Sequence, residues 1–260
     1  MIHVFIIAHP DDESMFFLPT FFGLQQAMDE LDSVWLVCLT TGNYDGLGNT
    51  RARELRRVCN EVLPMVDRLL LLDQEDIMVD HPTQRWDIPA VATALHEALE
   101  KALQETESIQ FTAPKTASWT FYTFDKGGVS GHVNHTDTFL AVQHLIHHSN
   151  SLPNISQAWM LKSERNPLAK YIPIFSWMLL ILYLLMIEKH PSYSKIIFPQ
   201  GETKLLFRLH RPWINWKAMV AHQSQFVWYR RLFVIFSCYT YVNEWSEMPP
   251  TQSTLGKKVQ

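Results

Sequence analysis

Cysteine is scarce in the 260-residue chain, and its spacing is not that of a disulfide or metal-binding framework. The three cysteines, Cys38, Cys59 and Cys238, are odd in number, and no two of them have CxxC spacing. Cys38 lies in a strand-like run and Cys59 in a helical one. We therefore expect packed thiols in a protein of a reducing compartment.

The chain also lacks a basic stripe. Its 22 Lys and Arg residues are outnumbered by 26 Asp and Glu residues, which gives a net charge of −4 and no electrostatic reason to expect nucleic acid as a partner. With 47% hydrophobic residues, the chain has a globular composition and can bury a large core. We expect a single domain over residues 1–260.

No G-x-G-x-x-G motif follows the first predicted strand, which argues against dinucleotide binding. Strands and helices nevertheless alternate. The predicted strands are 2–7, 34–39, 68–72 and 119–124, and the predicted helices are 14–30 with an interruption near Pro19, 50–63, 88–103 and 136–146. This alternation predicts a three-layer, Rossmann-like α/β fold with a largely parallel sheet and helices on both faces.

The first strand ends abruptly in the sequence AHPDDE at residues 8–13. Because Pro10 prevents a helix from starting before it, His9, Asp11 and Asp12 should emerge at the carboxyl end of the strand, where open α/β sheets bind their ligands. This concentration of like charges and desolvated groups is costly unless a cation neutralises it. The motif therefore predicts a metal site.

A second motif, DKGGVSGHVNH at residues 125–135, joins the predicted strand 119–124 to the helix at 136–146. Its glycines permit positive φ angles and the close approach of another group to the backbone. His132 and His135 are three residues apart and would share one side of a helical turn. Together with His9 and Asp12, they would supply nitrogen and oxygen ligands in the geometry that zinc prefers.

Each of these features has an ordinary structural explanation when taken alone. A single His or Asp at a strand end is usually a cap or a loop anchor, and an HxxH pair is a weak signal. We interpret His144, His147 and His148, on the same predicted helix, as surface residues. The joint occurrence of both motifs at two strand ends favours the metal site.

Residues 8–13 and 131–135 resemble the two signature motifs of the zinc-dependent sugar N-deacetylases of the PIG-L/LmbE-like family. Further similar stretches are 15–20, 41–44, 50–51 with 54–55, 124–131, 222–225 and 228–232, so the resemblance spans most of the chain. It implies Zn²⁺ or another divalent metal held by His9, Asp12 and His135.

The resemblance also assigns Asp11 as the general base and His132 as the group that stabilises the oxyanion, a role that we expect a protonated His132 to share with the metal. Three protein ligands leave one coordination position open, where a water has a pKa of about 7. A carboxylate outside the metal shell can take the proton of that water and deliver it to the departing amine. Asp11 is free for this role if Asp12 binds the metal.

Two further residues are candidates for substrate binding. Arg51 stands at a helix start, where it could hold a phosphate, and the alternative is an ion pair with Glu54 or another surface carboxylate. His222 lies in a stretch similar to the family, and a structural role is equally compatible with its setting.

The reaction implied by the resemblance is hydrolysis of the acetamide of N-acetylglucosaminyl-phosphatidylinositol, releasing acetate, as the second step of GPI-anchor synthesis. One alternative is deacetylation of a soluble N-acetylglucosamine conjugate, and another is a non-catalytic subunit that binds metal or lipid. The uncharged segment 171–187 favours the lipid substrate, and the unbound carboxylate of Asp11 argues against a purely structural site.

The same segment bears on membrane contact. Its seventeen uncharged residues are at the lower limit for a membrane span, and we expect an interfacial helix, with a transmembrane helix as the alternative. The first strand follows Met1 almost at once and leaves no room for a signal peptide. Membrane contact should therefore come from residues 171–187 or from a partner.

Two N-x-[ST] sequons, at Asn134 and Asn154, carry an expectation about topology. Asn134 lies inside the predicted metal loop, where a glycan would block the site. We therefore expect a protein of the endoplasmic reticulum membrane whose catalytic domain faces the cytosol, with neither asparagine modified.

Overall fold

The computed structural model of the protein describes residues 1–109, 118–148, 155–171, 193–197, 203–209, 211 and 213–249. The strands are β1 Ile2–Ile7, β2 Ser33–Cys38, β3 Val66–Leu71, β4 Trp119–Phe124, β5 Ile155–Leu161, β6 Tyr193–Ile197, β7 Thr203–Arg208 and β8 Val242–Glu247. The helices are α1 Leu18–Ala27, α2 Gly48–Glu61, α3 Ile88–Ile109, α4 Gly128–Gly131, α5 Val133–His148, α6 Pro167–Tyr171, α7 Trp213–Ala221 and α8 Trp228–Phe236.

These strands form one mixed sheet in the order β3-β2-β1-β4-β5-β8-β7-β6. The strands β3, β2, β1, β4 and β5 are parallel to one another, which agrees with the largely parallel sheet predicted from the sequence. β1 and β4 are buried along their whole length, because helices cover both faces of a parallel sheet. The structure is therefore an α/β fold with a mostly parallel sheet.

Helices pack on both faces of the sheet. Alternate side chains of β1 point to opposite faces, and Phe5 stacks on Phe21 of α1 with ring centroids 4.0 Å apart. On that face, α7 contacts both α2 and the turn before α1, whereas α5 contacts β1 and β4 and packs on α3. This is the layering expected when each parallel connection is right-handed.

The sheet departs from the sequence expectation at one edge, where β8, β7 and β6 run antiparallel. β7 and β8 alternate between buried and partly exposed residues, with Phe207 and Trp245 among the buried ones. This alternation is typical of antiparallel strands with one solvated face. It is a weaker signal than a continuous apolar run, and only the first four strands were predicted.

Local boundaries also differ from the expectation. The helix predicted over 14–30 begins as a π-helical turn, Glu13–Phe17, and continues as α1, with Pro19 in its first turn. Proline is tolerated there because the first N–H groups of a helix have no partner within the helix. The π-helical turn begins at the last residue of the predicted metal motif, Glu13, and such turns often occur at functional sites.

The predicted membrane-interface helix at 171–187 lies outside the described residues except for Tyr171, the last residue of α6. Within the described ranges, none of the helices has the length and apolar character that crossing a bilayer requires. All three cysteines are unpaired, and Cys38 and Cys59 are buried, as predicted. Burial raises the pKa of the Cys59 thiol to about 12.

Candidate active site

The carboxyl ends of β1 and β4 bring together His9, Asp12 and His135. One oxygen of Asp12 lies 3.0 Å from Nε2 of His135, and the other lies 3.7 Å from Nδ1 of His9. One ligand atom from each residue lies within 4.8 Å of the other two. All three side chains are buried. The two distant motifs therefore converge at one place, as the argument from strand ends predicts.

Each imidazole uses its other nitrogen in a separate hydrogen bond. Nδ1–H of His135 donates to the carbonyl of Gly128 at 2.9 Å, and Nε2 of His9 lies 3.1 Å from the carboxylate of Asp80. Such bonds fix the tautomer of a histidine that binds a metal and direct its lone pair at the ion. In both rings the remaining nitrogen faces Asp12.

The charge state of the cluster also fits a cation. Burial alone would raise the pKa of Asp12, but His135 and His9 outweigh it and hold that pKa well below its usual range. Burial alone would lower the pKa of His9, but the carboxylates of Asp80 and Asp12 raise it. A divalent cation can replace the protons that such histidines take up. Two imidazoles and one carboxylate are therefore a donor set suited to a divalent metal such as zinc.

A glycine allows His135 its close position. Gly128 has a φ of +59°, and a Cβ atom at this residue would lie 3.0 Å from Cβ of His135. The carboxylate of Asp125 holds the loop by accepting hydrogen bonds from the backbone N–H of Gly127 and from Ser163. The hydroxyl of Ser163 in turn accepts the N–H of Val129. These bonds hold the loop in place and thus fix the position of His135.

Asp11 lies beside the cluster and is held by arginines. Its carboxylate forms ion pairs with Arg230 of α8 and with Arg51 of α2, the latter at 3.5 Å. Its backbone has a φ of 120°, which is strained for a residue with a side chain. The backbone N–H of Asp11 donates to Glu13 at 3.1 Å. Several contacts therefore keep Asp11 in a conformation that it would not adopt alone.

His132 lies between the two loops, with its ring centroid 4.9 Å from that of His9 and 5.3 Å from that of His135. Burial, together with the neighbouring His9 and His135, lowers the pKa of His132 to about 4. This shift favours a neutral ring, whereas the expectation from the sequence is a protonated one. Since Nδ1 accepts the backbone N–H of Asn134 at 3.2 Å, the proton resides on Nε2.

Arg51 has different partners from those expected from the sequence. Its guanidinium donates to the carbonyls of Pro10 and Gly42 at 2.8 and 2.9 Å and lies 3.7 Å from Asp80. It is buried, so its carboxylate partners are not on the surface. Glu54, the expected surface partner, instead accepts hydrogen bonds from Ser224. Arg51 thus joins the AHPDDE turn to the loop that contains Gly42.

His222 has no exposed surface, and its Nε2 lies 2.5 Å from the carboxylate of Glu13. The same glutamate accepts the N–H of Asp11. The structure therefore places His222 behind the turn that carries Asp11 and Asp12, and not in the opening of the site.

Two residues next to the cluster were not predicted as site residues. Asp80 contacts His9, and Arg230 contacts Asp11. Asp80 follows β3, a third parallel strand whose carboxyl end reaches the same edge of the sheet, and this could have identified it. Arg230 lies in a stretch that already resembles the family, although the sequence gives no sign of its partner.

Comparisons with known proteins give the family and the fold of the chain. The sequence model of the PIG-L family, described as GlcNAc-PI de-N-acetylase, matches residues 4–146. That span contains both motifs and Asp80 and ends before His222 and Arg230. A solved structure of N,N'-diacetylchitobiose deacetylase from Pyrococcus horikoshii has a TM-score of 0.54 at 17% identity, covering 95% of this chain and 84% of that chain. At this identity the likeness shows a shared fold.

Two relatives are more similar in sequence, and both are named N-acetylglucosaminyl-phosphatidylinositol de-N-acetylase. The relative from Bos taurus is 32% identical over 238 residues, covering 92% of this chain and 80% of its own length. The relative from Saccharomyces cerevisiae is 29% identical over 252 residues, covering 92% of this chain and 79% of its own length. Since the family model covers more than half of the chain and these relatives cover nearly all of it, the chain belongs to the PIG-L family of GlcNAc-PI de-N-acetylases.

Proposed function

We propose that the chain removes the N-acetyl group from N-acetylglucosaminyl-phosphatidylinositol by hydrolysis, giving acetate and glucosaminyl-phosphatidylinositol, as the second step of GPI-anchor biosynthesis. The chain is an amidohydrolase of the family to which it belongs. The observation that carries the proposal is the convergence of His9, Asp12 and His135 beside Asp11, a carboxylate that is not among the three candidate ligands.

Three residues would hold the metal, namely His9, Asp12 and His135. A divalent cation such as Zn²⁺ bound there would supply Lewis acidity and lower the pKa of water to about 7. The hydrogen bond from His135 to Gly128 and the contact of His9 with Asp80 orient both imidazoles for this role.

The proton transfers are assigned to Asp11. Its carboxylate would accept a proton from the attacking water and deliver it to the departing amine of the glucosamine. Arg230 and Arg51 orient that carboxylate, and the N–H bond to Glu13 anchors its backbone. Arg51 and His222 were both expected to bind substrate. Their contacts instead support positioning roles behind the AHPDDE turn.

Stabilisation of the negative charge that develops on the carbonyl oxygen is assigned to His132. Because Nδ1 accepts the Asn134 N–H, Nε2–H is available as a donor. A single oxyanion donor of this kind contributes about 3 kcal/mol to transition-state stabilisation. The neutral ring can make this bond without carrying a net charge.

We further propose that the enzyme works at the endoplasmic reticulum membrane with its site facing the cytosol. Asn134 has no exposed surface, and its side chain lies 3.2 Å from Nε2 of His9, so a glycan at this residue is incompatible with the folded site. The other sequon, at Asn154, lies outside the described residues. The protein made in eukaryotic cells should show no mobility shift on endoglycosidase H treatment, and a shift traced to Asn134 in active enzyme would refute the assignment.

The proposed reaction is tested by measuring acetate release from the glycolipid, with and without chelator and added Zn²⁺. Asp11→Asn should lose activity while retaining the metal content of the parent, because Asp11 is not among the ligands. Glu97→Gln, which removes an exposed carboxylate on α3, is the matched control and should stay active. Full activity of Asp11→Asn, or no acetate release from metal-loaded parent protein, would sink the proposal.

A further inference from the structure

The outward sides of α7 and α8 are covered by large apolar side chains. We name this surface the α7–α8 face and define it by Trp216, Val220, Trp228, Tyr229, Leu232 and Phe236, whose exposed fractions range from 39% to 72%. A soluble protein seldom leaves so many large apolar groups together in water, unless the surface binds something. We propose that the α7–α8 face docks on a lipid bilayer.

The face follows from the helical repeat of α8. Residues 228, 229, 232 and 236 recur on one side of the helix, and that side is exposed. The opposite side carries Val234, which is buried, and Arg230, which reaches Asp11. A surface helix normally turns its apolar side to the core. Here Phe233 and Val234 pack toward the core on the inward side, and the rings of residues 228, 229 and 236 nevertheless stay exposed on the outward side.

The two helices form a continuous surface. Trp216 of α7 contacts Phe226, just before α8, with ring centroids 4.8 Å apart. Trp213, Trp216 and Val220 are all exposed and share one side of α7, because they are spaced three and four residues apart. The apolar surface therefore extends from α7 through residue 226 to the end of α8.

The charge of this region matches a phospholipid surface. Residues 203–243 contain no Asp or Glu, although the whole chain has a net charge of −4. The same stretch contains six Lys and Arg residues, of which Arg230 and Lys204 are paired with Asp11 and Glu244 and do not count toward a lipid contact. Lys217 and Arg231 are exposed on α7 and α8, beside the apolar groups. Cations near an apolar, Trp- and Tyr-containing helix face are typical of helices that lie in the membrane interface.

The α7–α8 face is also continuous with the proposed catalytic site, and on this point the inference rests on the proposed function. Arg230 lies one residue from Tyr229 and two from Trp228, and its guanidinium contacts Asp11. A phosphatidylinositol substrate keeps its acyl chains in the bilayer and presents its sugar at the surface. Docking through α8 would therefore bring Asp11 to the level of the headgroups.

The test uses the full chain and protein-free vesicles of phosphatidylcholine and phosphatidylinositol. The double variant Trp228→Ser/Leu232→Ser should lower the vesicle-bound fraction by at least about tenfold in co-sedimentation, because each lost side chain removes apolar area from the contact. Hydrolysis of vesicle-embedded glycolipid should fall by a similar factor. Hydrolysis of the water-soluble headgroup, freed of its acyl chains, should be unchanged.

Leu31→Ser provides the matched control, since Leu31 is 92% exposed and lies just before β2, at the opposite edge of the sheet from Asp11. It should bind vesicles like the parent. Equal circular dichroism and Tm would show that all variants are folded.

The possible failures are distinguishable. A double variant that sediments like the parent would overturn the docking proposal, as would a parent that does not bind vesicles at all, which would point to a protein occupant. A parent that binds through this face but releases no acetate from either substrate would refute the proposed function and leave the docking intact.

Discussion

Arg230 forms an ion pair with Asp11, and so joins a helix near the end of the chain to the turn after the first strand. The same guanidinium donates to Gln225 at 2.9 Å, which fixes its direction from the side of α8. Asp11 thus lies between two arginines, Arg230 and Arg51, that come from helices far apart in sequence.

Arg230→Ala should lower kcat for the soluble headgroup by about 100-fold, because a misplaced base loses its alignment with the reacting water. Metal content should be unchanged, since Arg230 contacts none of the proposed ligands. Arg230→Lys should recover only part of kcat, because lysine keeps the charge but loses the planar fork. Arg57→Ala, which breaks an exposed pair with Glu61, is the control. A fully active Arg230→Ala would show that Arg51 alone positions the base.

Gly128→Ala should weaken metal binding by about 10- to 100-fold, because the new methyl group would push on Cβ of His135 and shift a proposed ligand. Gly46→Ala separates this effect from backbone strain. Gly46 has a similar φ of +72°, but nothing lies within 4 Å of the added Cβ. Both variants should lose about 1 kcal/mol of stability from the positive φ, and only Gly128→Ala should lose metal affinity in competition titrations. Equal affinities would contradict the assignment of His135.

His222→Ala should reduce the free energy of unfolding by about 3 kcal/mol, because it leaves the carboxylate of Glu13 buried without its partner. Both side chains of this pair have no exposed surface. The comparison is His96→Ala, which breaks a partly exposed pair with Glu100 and should cost less than about 1 kcal/mol. Urea denaturation measures both values. A small loss for His222→Ala would mean that Glu13 finds another partner.

Stability should depend on pH through His3, which lies on β1 away from the site. Burial is the main cause that lowers the pKa of His3 from 6.5 to about 4, and the N-terminal ammonium acts in the same direction. As the pH falls, the unfolded chain therefore takes up this proton before the folded protein does. The free energy of unfolding is unaffected by His3 above pH 6.5 and decreases as the pH falls from 6.5 toward 4.

The loss through His3 amounts to about 3 kcal/mol over that window. His3→Phe should remove this part of the slope in unfolding measurements between pH 4 and 7. His148→Gln, at an exposed position, should retain it. If His3→Phe and the parent show the same slope, the ring of His3 is protonated equally in both states.

The sequence predicted the parallel half of the fold well because the apolar pattern of its strands is strong. Strands such as β1 and β4 are continuous apolar runs, which parallel sheets require. Since carboxyl ends of parallel strands share one edge, the proximity of His9, Asp12 and His135 followed from topology. The antiparallel strands β7 and β8 have no continuous apolar run, because buried and partly exposed residues alternate along them. Their pairing depends on contacts distant in sequence.

The surroundings of the site were harder to predict than its proposed ligands. Arg51 was recognised as important, but its burial against Pro10 and Asp80 depends on how two loops meet. Asp80 follows β3, which indicates the edge of the sheet at which it lies, but no local pattern specifies its contact with His9. Whether an arginine contacts a phosphate or a backbone carbonyl is decided by three-dimensional packing, and residue type and spacing leave that choice open.

The pairing of Asp11 with Arg230 has a consequence for biosynthesis. The two residues are 219 positions apart, so the ribosome makes one long before the other. The nascent chain can complete β1 and its turn early, yet Asp11, the proposed general base, meets its second arginine only after the 218 residues between them have been made. Deacetylase activity should therefore appear only after α8 has been made and has packed against the turn that carries Asp11.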